Sequence, residues 1–196
     1  MHLPRGVALT QLTAVVDEYR QKADVPALLT ALDAIAEGAS VDELLSAGDA
    51  FASMPEVLGP LMEAVVRREP ENARALVRLA NAYWLTGRGP DVVGDLASRA
   101  LTADPSHRGA WHLWALTETD PRRRMNRWVQ VTERFPDDDL AKANLADNAA
   151  SVGTTEDDPV AIKLALDTFR RLRATAPHPA QRDALDKAIE ALQRRG

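Results

Sequence analysis

Apolar residues recur at helical spacing along almost the whole chain, and no stretch shows the strict alternation of a half-buried strand. Leu12, Val15, Val16 and Tyr19 form one such set, and Leu28, Leu32 and Ile35 form the next. Residues at i, i+3, i+4 and i+7 share one side of an α-helix, so each set is a stripe that another element must cover. Helix is the only regular structure this pattern predicts. Its boundaries are marked chemically. Asp120-Pro121 and Asp158-Pro159 each place a side-chain acceptor at an N-cap, ahead of a proline at the first helical position, where the missing N–H costs nothing. Asp137-Asp138-Asp139 reads as N-capping after Pro136, because consecutive helical residues point about 100° apart and do not converge on one metal ion. Gly38, Gly87 and Gly153 follow periodic runs and are expected to end helices in the left-handed conformation. About eleven helices joined by short turns fit the length.

The stripes also repeat. Glu69-Pro70 followed by Ala75-Leu76 is echoed by Asp104-Pro105 followed by Ala110-Trp111. Leu76, Leu79-Ala80, Tyr83, Val93, Ala97, Ala100 and Pro105 run in the order of an aromatic or Leu, Leu-Gly/Ala and Tyr on one helix, then Ala, an aromatic, a small residue and Pro around a second. This resembles the tetratricopeptide repeat family. Leu12 to Ile35 supplies a first pass, and Leu44, Ala47-Gly48, Phe51, Leu58, Met62, Val65 and Pro70 a second. Trp111, Trp114-Ala115, Trp128, Val131 and Pro136 give a fourth; Leu145-Ala146, Ala149, Ala165, Phe169, Leu172 and Pro177 give a fifth, with an insertion spanning Ser151 to Asp158. Corresponding first-helix positions, Leu12, Leu44, Leu76, Trp111 and Lys142, are 32, 32, 35 and 31 residues apart. The repeat length of the family is about 34. The pattern is broken where Glu118 stands for Tyr, Arg124 for a small residue and Lys142 for the leading aromatic. The resemblance implies an all-α fold, a right-handed superhelical solenoid of about five hairpins (7–38, 41–69, 72–103, 106–135 and 138–176) with a capping helix over 179–194, in a single domain of residues 1–196.

Charge is unevenly distributed within a net of −5. Residues 1–66 carry 3 Lys/Arg against 10 Asp/Glu, residues 67–134 carry 12 against 8, and residues 135–196 carry 9 against 11. An acidic whole argues against nucleic acid as a partner, since neutralising phosphates takes a dense cationic surface, although the basic middle offers a nucleic-acid-binding helical repeat as an alternative reading. No cysteine is present, which excludes disulfides, thiolate metal sites and cysteine nucleophiles. The amino end lacks the uninterrupted apolar core of a signal peptide, and no run approaches the ~18 apolar residues of a membrane span, so a cytoplasmic protein with no membrane partner is expected.

A helical array works through a surface, and the resemblance implies that first helices line a concave groove. The implied positions are Thr13 and Asp17, Asp42 and Asp49, then Arg74, Arg78, Asn81 and Trp84, then His112 and Leu116, and finally Asn144 and Asp147. Asn81 and Asn144 could hold a peptide backbone, because an amide side chain donates and accepts, and Arg74 and Arg78 could pair with a carboxylate. An acidic or C-terminal peptide segment is the expected ligand. Arg122, Arg123, Arg124 and Arg127 crowd a helix start, where positive charge opposes the dipole, and read either as an anion or acidic-partner site or as a solvated face with Arg124 turned toward Asp120.

The four histidines, His2, His107, His112 and His178, neither fall at i, i+4 nor adjoin a serine nucleophile, so no metal site or hydrolase is expected. Glycines never cluster into a phosphate loop, and no cofactor is expected. The function that follows is binding of another protein, as adaptor, scaffold or assembly chaperone, by a chain that is not an enzyme. A helical enzyme subunit is a further alternative, and an acidic end facing a basic middle leaves head-to-tail homo-oligomerisation open.

Overall fold

The structure, a computed structural model, describes residues 7–194; His2 and the rest of residues 1–6 lie outside the described residues. Among the described residues there are eleven α-helices and no strand. They are α1 (Val7–Lys22), α2 (Val25–Gly38), α3 (Val41–Ala50), α4 (Pro55–Arg68), α5 (Ala73–Leu85), α6 (Pro90–Ala103), α7 (Arg108–Leu116), α8 (Pro121–Arg134), α9 (Asp139–Thr155), α10 (Pro159–Thr175) and α11 (Pro179–Gln193). The chain divides into two compact units, Met1–Leu113 and Trp114–Gly196, with the boundary inside α7.

In unit 1 the helices pack as consecutive hairpins, α1 on α2, α3 on α4 and α5 on α6, and neighbouring hairpins meet through α1 with α3, α2 with α4 and α4 with α5. The apolar stripes account for this: Leu12, Leu32, Leu44, Leu61, Met62 and Leu76 are fully buried at the contacts. Gly48 marks a close crossing, where a Cβ would stand 3.1 Å from Leu58 Cδ1 and 3.2 Å from Met62 Cε. Local chemistry sets the ends. Asp24 and Asn72 accept the Ala27 and Ala75 N–H groups, Ser40 and Glu43 form a reciprocal capping box, and Pro55 and Pro90 occupy first helical positions. Gly87 has φ +76, as expected past a helix end. Arg68 on α4 donates to the carbonyls of Ala36 and Ala39 at the end of α2, a cation on the negative end of a neighbouring helix.

In unit 2, α8 packs on α9, α9 on α10 and α10 on α11 around Trp128, Val131, Ala141, Leu145, Ala149, Ala165, Phe169 and Leu172. Asp120, Asp138 and Asp158 cap α8, α9 and α10 through backbone N–H groups three residues on. Two expectations are corrected. Gly153 does not end a helix: α9 continues to Thr155, because the missing Cβ lets α10 close in, and one built at Gly153 would stand 2.8 Å from the Ile162 backbone nitrogen. Gly38 is likewise helical, with Ala39 extended beyond it. Residues 151–155 of the insertion spanning Ser151 to Asp158 are helix, which brings α9 to 17 residues, and residues 156–158 make the turn into α10.

Candidate protein-docking surface

α5 builds the surface in unit 1. Its N-cap Asn72 starts the helix so that Leu76, Leu79 and Ala80 face the core, while Arg74, Arg78, Asn81 and Trp84 share the opposite side. Both arginines turn toward α3. Arg74 Nη2 lies 2.7 Å from Asp49 Oδ2, Arg78 pairs with the other oxygen of the same carboxylate, and Arg78 Nη1 donates to the Leu45 carbonyl at 2.6 Å. Burial lowers the Arg78 pKa from its ordinary value, but a guanidinium stays charged regardless. The pair therefore ties two hairpins together, and Asp49, Arg74 and Arg78 are one cluster rather than three separate groove positions.

Past this cluster the α5 face is uncommitted. The Asn81 side chain is exposed and makes no hydrogen bond among the described residues. Trp84 is 39% exposed and Leu85 is 66% exposed. Behind them Tyr83 is fixed by its hydroxyl, which donates to Glu63 at 2.7 Å, and by Arg88, stacked 4.8 Å over its ring. Burial first, then Glu63, pushes the Tyr83 pKa up to about 12, so it stays a neutral donor. On the earlier helices, Thr13 donates to the Leu9 carbonyl of its own helix, Asp17 pairs with Arg20 at 3.3 Å, and Asp42 is exposed in the first turn of α3. His112 is half-buried near the end of unit 1.

The arginine cluster in unit 2 is engaged throughout. Arg122 forks to Glu156 at 2.6 Å and Asp158 at 2.8 Å. Arg124 does not turn toward Asp120, whose carboxylate takes the Arg123 N–H; its guanidinium donates to Asn148 at 2.7 Å and to the Glu118 carbonyl at 3.1 Å. Arg127 donates to the Trp114 carbonyl at 2.6 Å, stacks 4.4 Å over the Trp114 ring and pairs with Glu118 at 2.9 Å, while Arg123 stands 3.6 Å from the same carboxyl. Glu118 is 9% exposed, and the Asp120 N–H, ahead of Arg127 and Arg123, holds its carboxyl below the usual range. The dipole conflict at the start of α8 is thus answered from within the unit. Asn144 donates to the Leu140 carbonyl of its own helix. Asp147 has no hydrogen-bond or ion-pair partner among the described residues, and desolvation raises its carboxyl although the side chain stays exposed. Among the described residues no group of His, Asp and Glu could hold a metal ion, and no helix is long and apolar enough to cross a membrane.

No protein-family model and no curated protein matches the sequence. Solved structures do match. A crystal structure of MamA superposes with a TM-score of 0.60 at 16% identity, covering 88% of this chain and 98% of that one. MamA from Desulfovibrio magneticus RS-1 gives 0.61 at 12% identity over 88% of this chain and 99% of its own. A tetratricopeptide repeat protein from Parabacteroides merdae ATCC 43184 gives 0.61 at 15%, over 95% and 73%. The fold is tetratricopeptide-like. Arg74 and Arg78 lie on α5 and Asp49 on α3; what the sequence did not show is that the two arginines share the one carboxylate. Sequence reasoning also missed Arg68 and Arg127 as carbonyl-bridging residues; the signal was the abundance of arginine at helix positions next to a repeat boundary.

Proposed function

We propose that the chain is a protein-interaction module, an adaptor, scaffold or assembly chaperone, that takes a peptide or helix of its partner along the first-helix face of unit 1. The observation that carries this reading is the pairing of exposed Trp84 and Leu85 with the uncommitted amide of Asn81 on one helix end. Exposed Trp beside other apolar surface is the composition of interface anchors, and an amide alongside it satisfies a partner's backbone. With Arg74 and Arg78 sharing Asp49, the cluster keeps one positive charge, and shape and hydrogen bonding at the Trp84 end add to it. The pairing of Arg122 with Glu156 and Asp158 and of Arg127 with Glu118 reduces the cationic surface that a nucleic-acid reading of the basic middle requires.

The test is affinity capture from cell extract with the wild-type chain and with Trp84→Ala/Asn81→Ala, identifying captured proteins by mass spectrometry. A specific protein that is recovered by the wild type and lost by the variant is expected. A partner retained in full by the variant contradicts the reading.

A further inference from the structure

The cleft formed in unit 2 by the extended tip of α9 and α10 has a charge pattern that selects its occupant. Its volume, about 640 Å³, falls in the ~300–1,000 Å³ range of ligand sites. Pro159, Ile162 and Leu166 provide an apolar floor. The charges on its rim do not balance: Lys163 and Arg170 share Asp167, at 2.5 and 3.5 Å, and Arg122 serves both Asp158 and Glu156, so that with Asp157 four carboxylates stand against three cations. Asp157 is the unpaired one. It is exposed at φ +50, a conformation that costs a non-glycine residue energy, and its carboxylate has no hydrogen-bond or ion-pair partner among the described residues. Asp147 lies on the same face of α9 as the rim residue Thr154, seven residues or about 10 Å along the axis, and is also without a partner. A segment lying in the cleft and along α9 therefore meets an apolar floor and two unneutralised carboxylates.

We propose that this cleft docks a basic amphipathic segment of a partner protein, with an apolar side chain on Ile162 and Leu166 and flanking Lys or Arg residues over Asp157 and Asp147. The inference rests on the reading of the chain as a protein-interaction module and adds a second surface with its own chemistry. Charge complementarity fixes the choice of a cationic partner: the arginines that suggested an acidic one have internal acceptors, and at this rim carboxylates outnumber cations, with Asp157 and Asp147 the ones that have no partner.

The experiment titrates the full chain against two fluorescein-labelled helical peptides with identical leucine positions, one carrying lysine and the other glutamate at the polar positions, read by anisotropy at low salt. The Leu/Lys peptide is expected to bind about tenfold or more tighter than the Leu/Glu peptide. Asp147→Asn/Asp157→Asn, which touches no core residue, should weaken it about fivefold, and Leu166→Arg about tenfold. Asp33→Asn/Asp137→Asn removes equal charge elsewhere and should leave binding within about twofold, which separates docking from general attraction to an acidic protein. Equal binding of the two peptides, binding of neither, or equal losses in the Asp147/Asp157 and Asp33/Asp137 variants would overturn the proposal. If a Trp84-dependent partner is still captured in that event, the failure concerns this cleft alone.

Discussion

Glu118 stands where the repeat carries a tyrosine, and the consequence is electrostatic. A nearly buried carboxylate requires donors, which the Asp120 N–H and Arg127 supply, so the substitution of Glu for Tyr is tolerated only together with an arginine on the next helix. Arg127→Ala is expected to cost about 2 kcal/mol, the order of a hydrogen bond to a charged group, measured as a lower urea midpoint at unchanged slope. Because the Glu118 pKa in the fold lies below its ordinary value of 4.5, its stabilisation is present above that value and is lost as pH falls through the folded one. Glu118→Gln should therefore lower stability at neutral pH and flatten the acid limb of a pH–stability curve. Asp147 has the opposite sign. Desolvation raises its pKa, so ionisation at neutral pH opposes folding, and Asp147→Asn should leave the melting temperature at pH 7 unchanged or higher. Trp84→Ala removes a partly exposed ring and should cost only about 1 kcal/mol, which keeps its effect on binding interpretable.

At the level of helices, glycines that look alike in the sequence have different roles. Gly48 lies at a crossing where the nearest atoms are the flexible ends of Leu58 and Met62, whereas Gly153 faces the backbone of Ile162. Gly153→Ala is expected to destabilise by about 1–3 kcal/mol or more, and Gly48→Ala by less, because side-chain ends can shift and a packed helix backbone cannot. Thermal melts of the two variants check the order. The caps at Asp120, Asp138 and Asp158 were legible because capping is decided within four residues of chain. The role of Gly153 was not, because what selects glycine there is an approach by the following helix, and periodicity carries no information about interhelical distance. The extension of α9 through residue 155 was hidden for the same reason: spacing registers the insertion spanning Ser151 to Asp158 but not how much of it continues the helix.

Across the molecule, the repeat spacing made the hairpin succession legible, while the fate of the arginines was not. Arg68 reaches back to Ala36 and Ala39, Arg78 to Leu45, and Arg122 forward to Glu156 and Asp158, each spanning about one repeat of sequence. Local charge counting sees a basic segment; the stacked fold turns much of it into ties between hairpins. Stability in such stacks comes from neighbouring contacts, so helices with few buried residues open first. Within unit 2, α11 has one buried residue, Leu192, against six in α9, and its amides should exchange with solvent faster than those of α9 in a hydrogen-exchange experiment.

The central claim, that the Trp84 end of α5 and not the arginine cluster meets the partner, is tested most directly by photocrosslinking in living cells. A benzophenone amino acid would replace Trp84 or Leu85 in one pair of variants, and Arg123 or Gln130 on α8 in another. A discrete adduct of one partner from positions 84 and 85, and none from 123 and 130, is the predicted result. Adducts from 123 and 130 alone would contradict it.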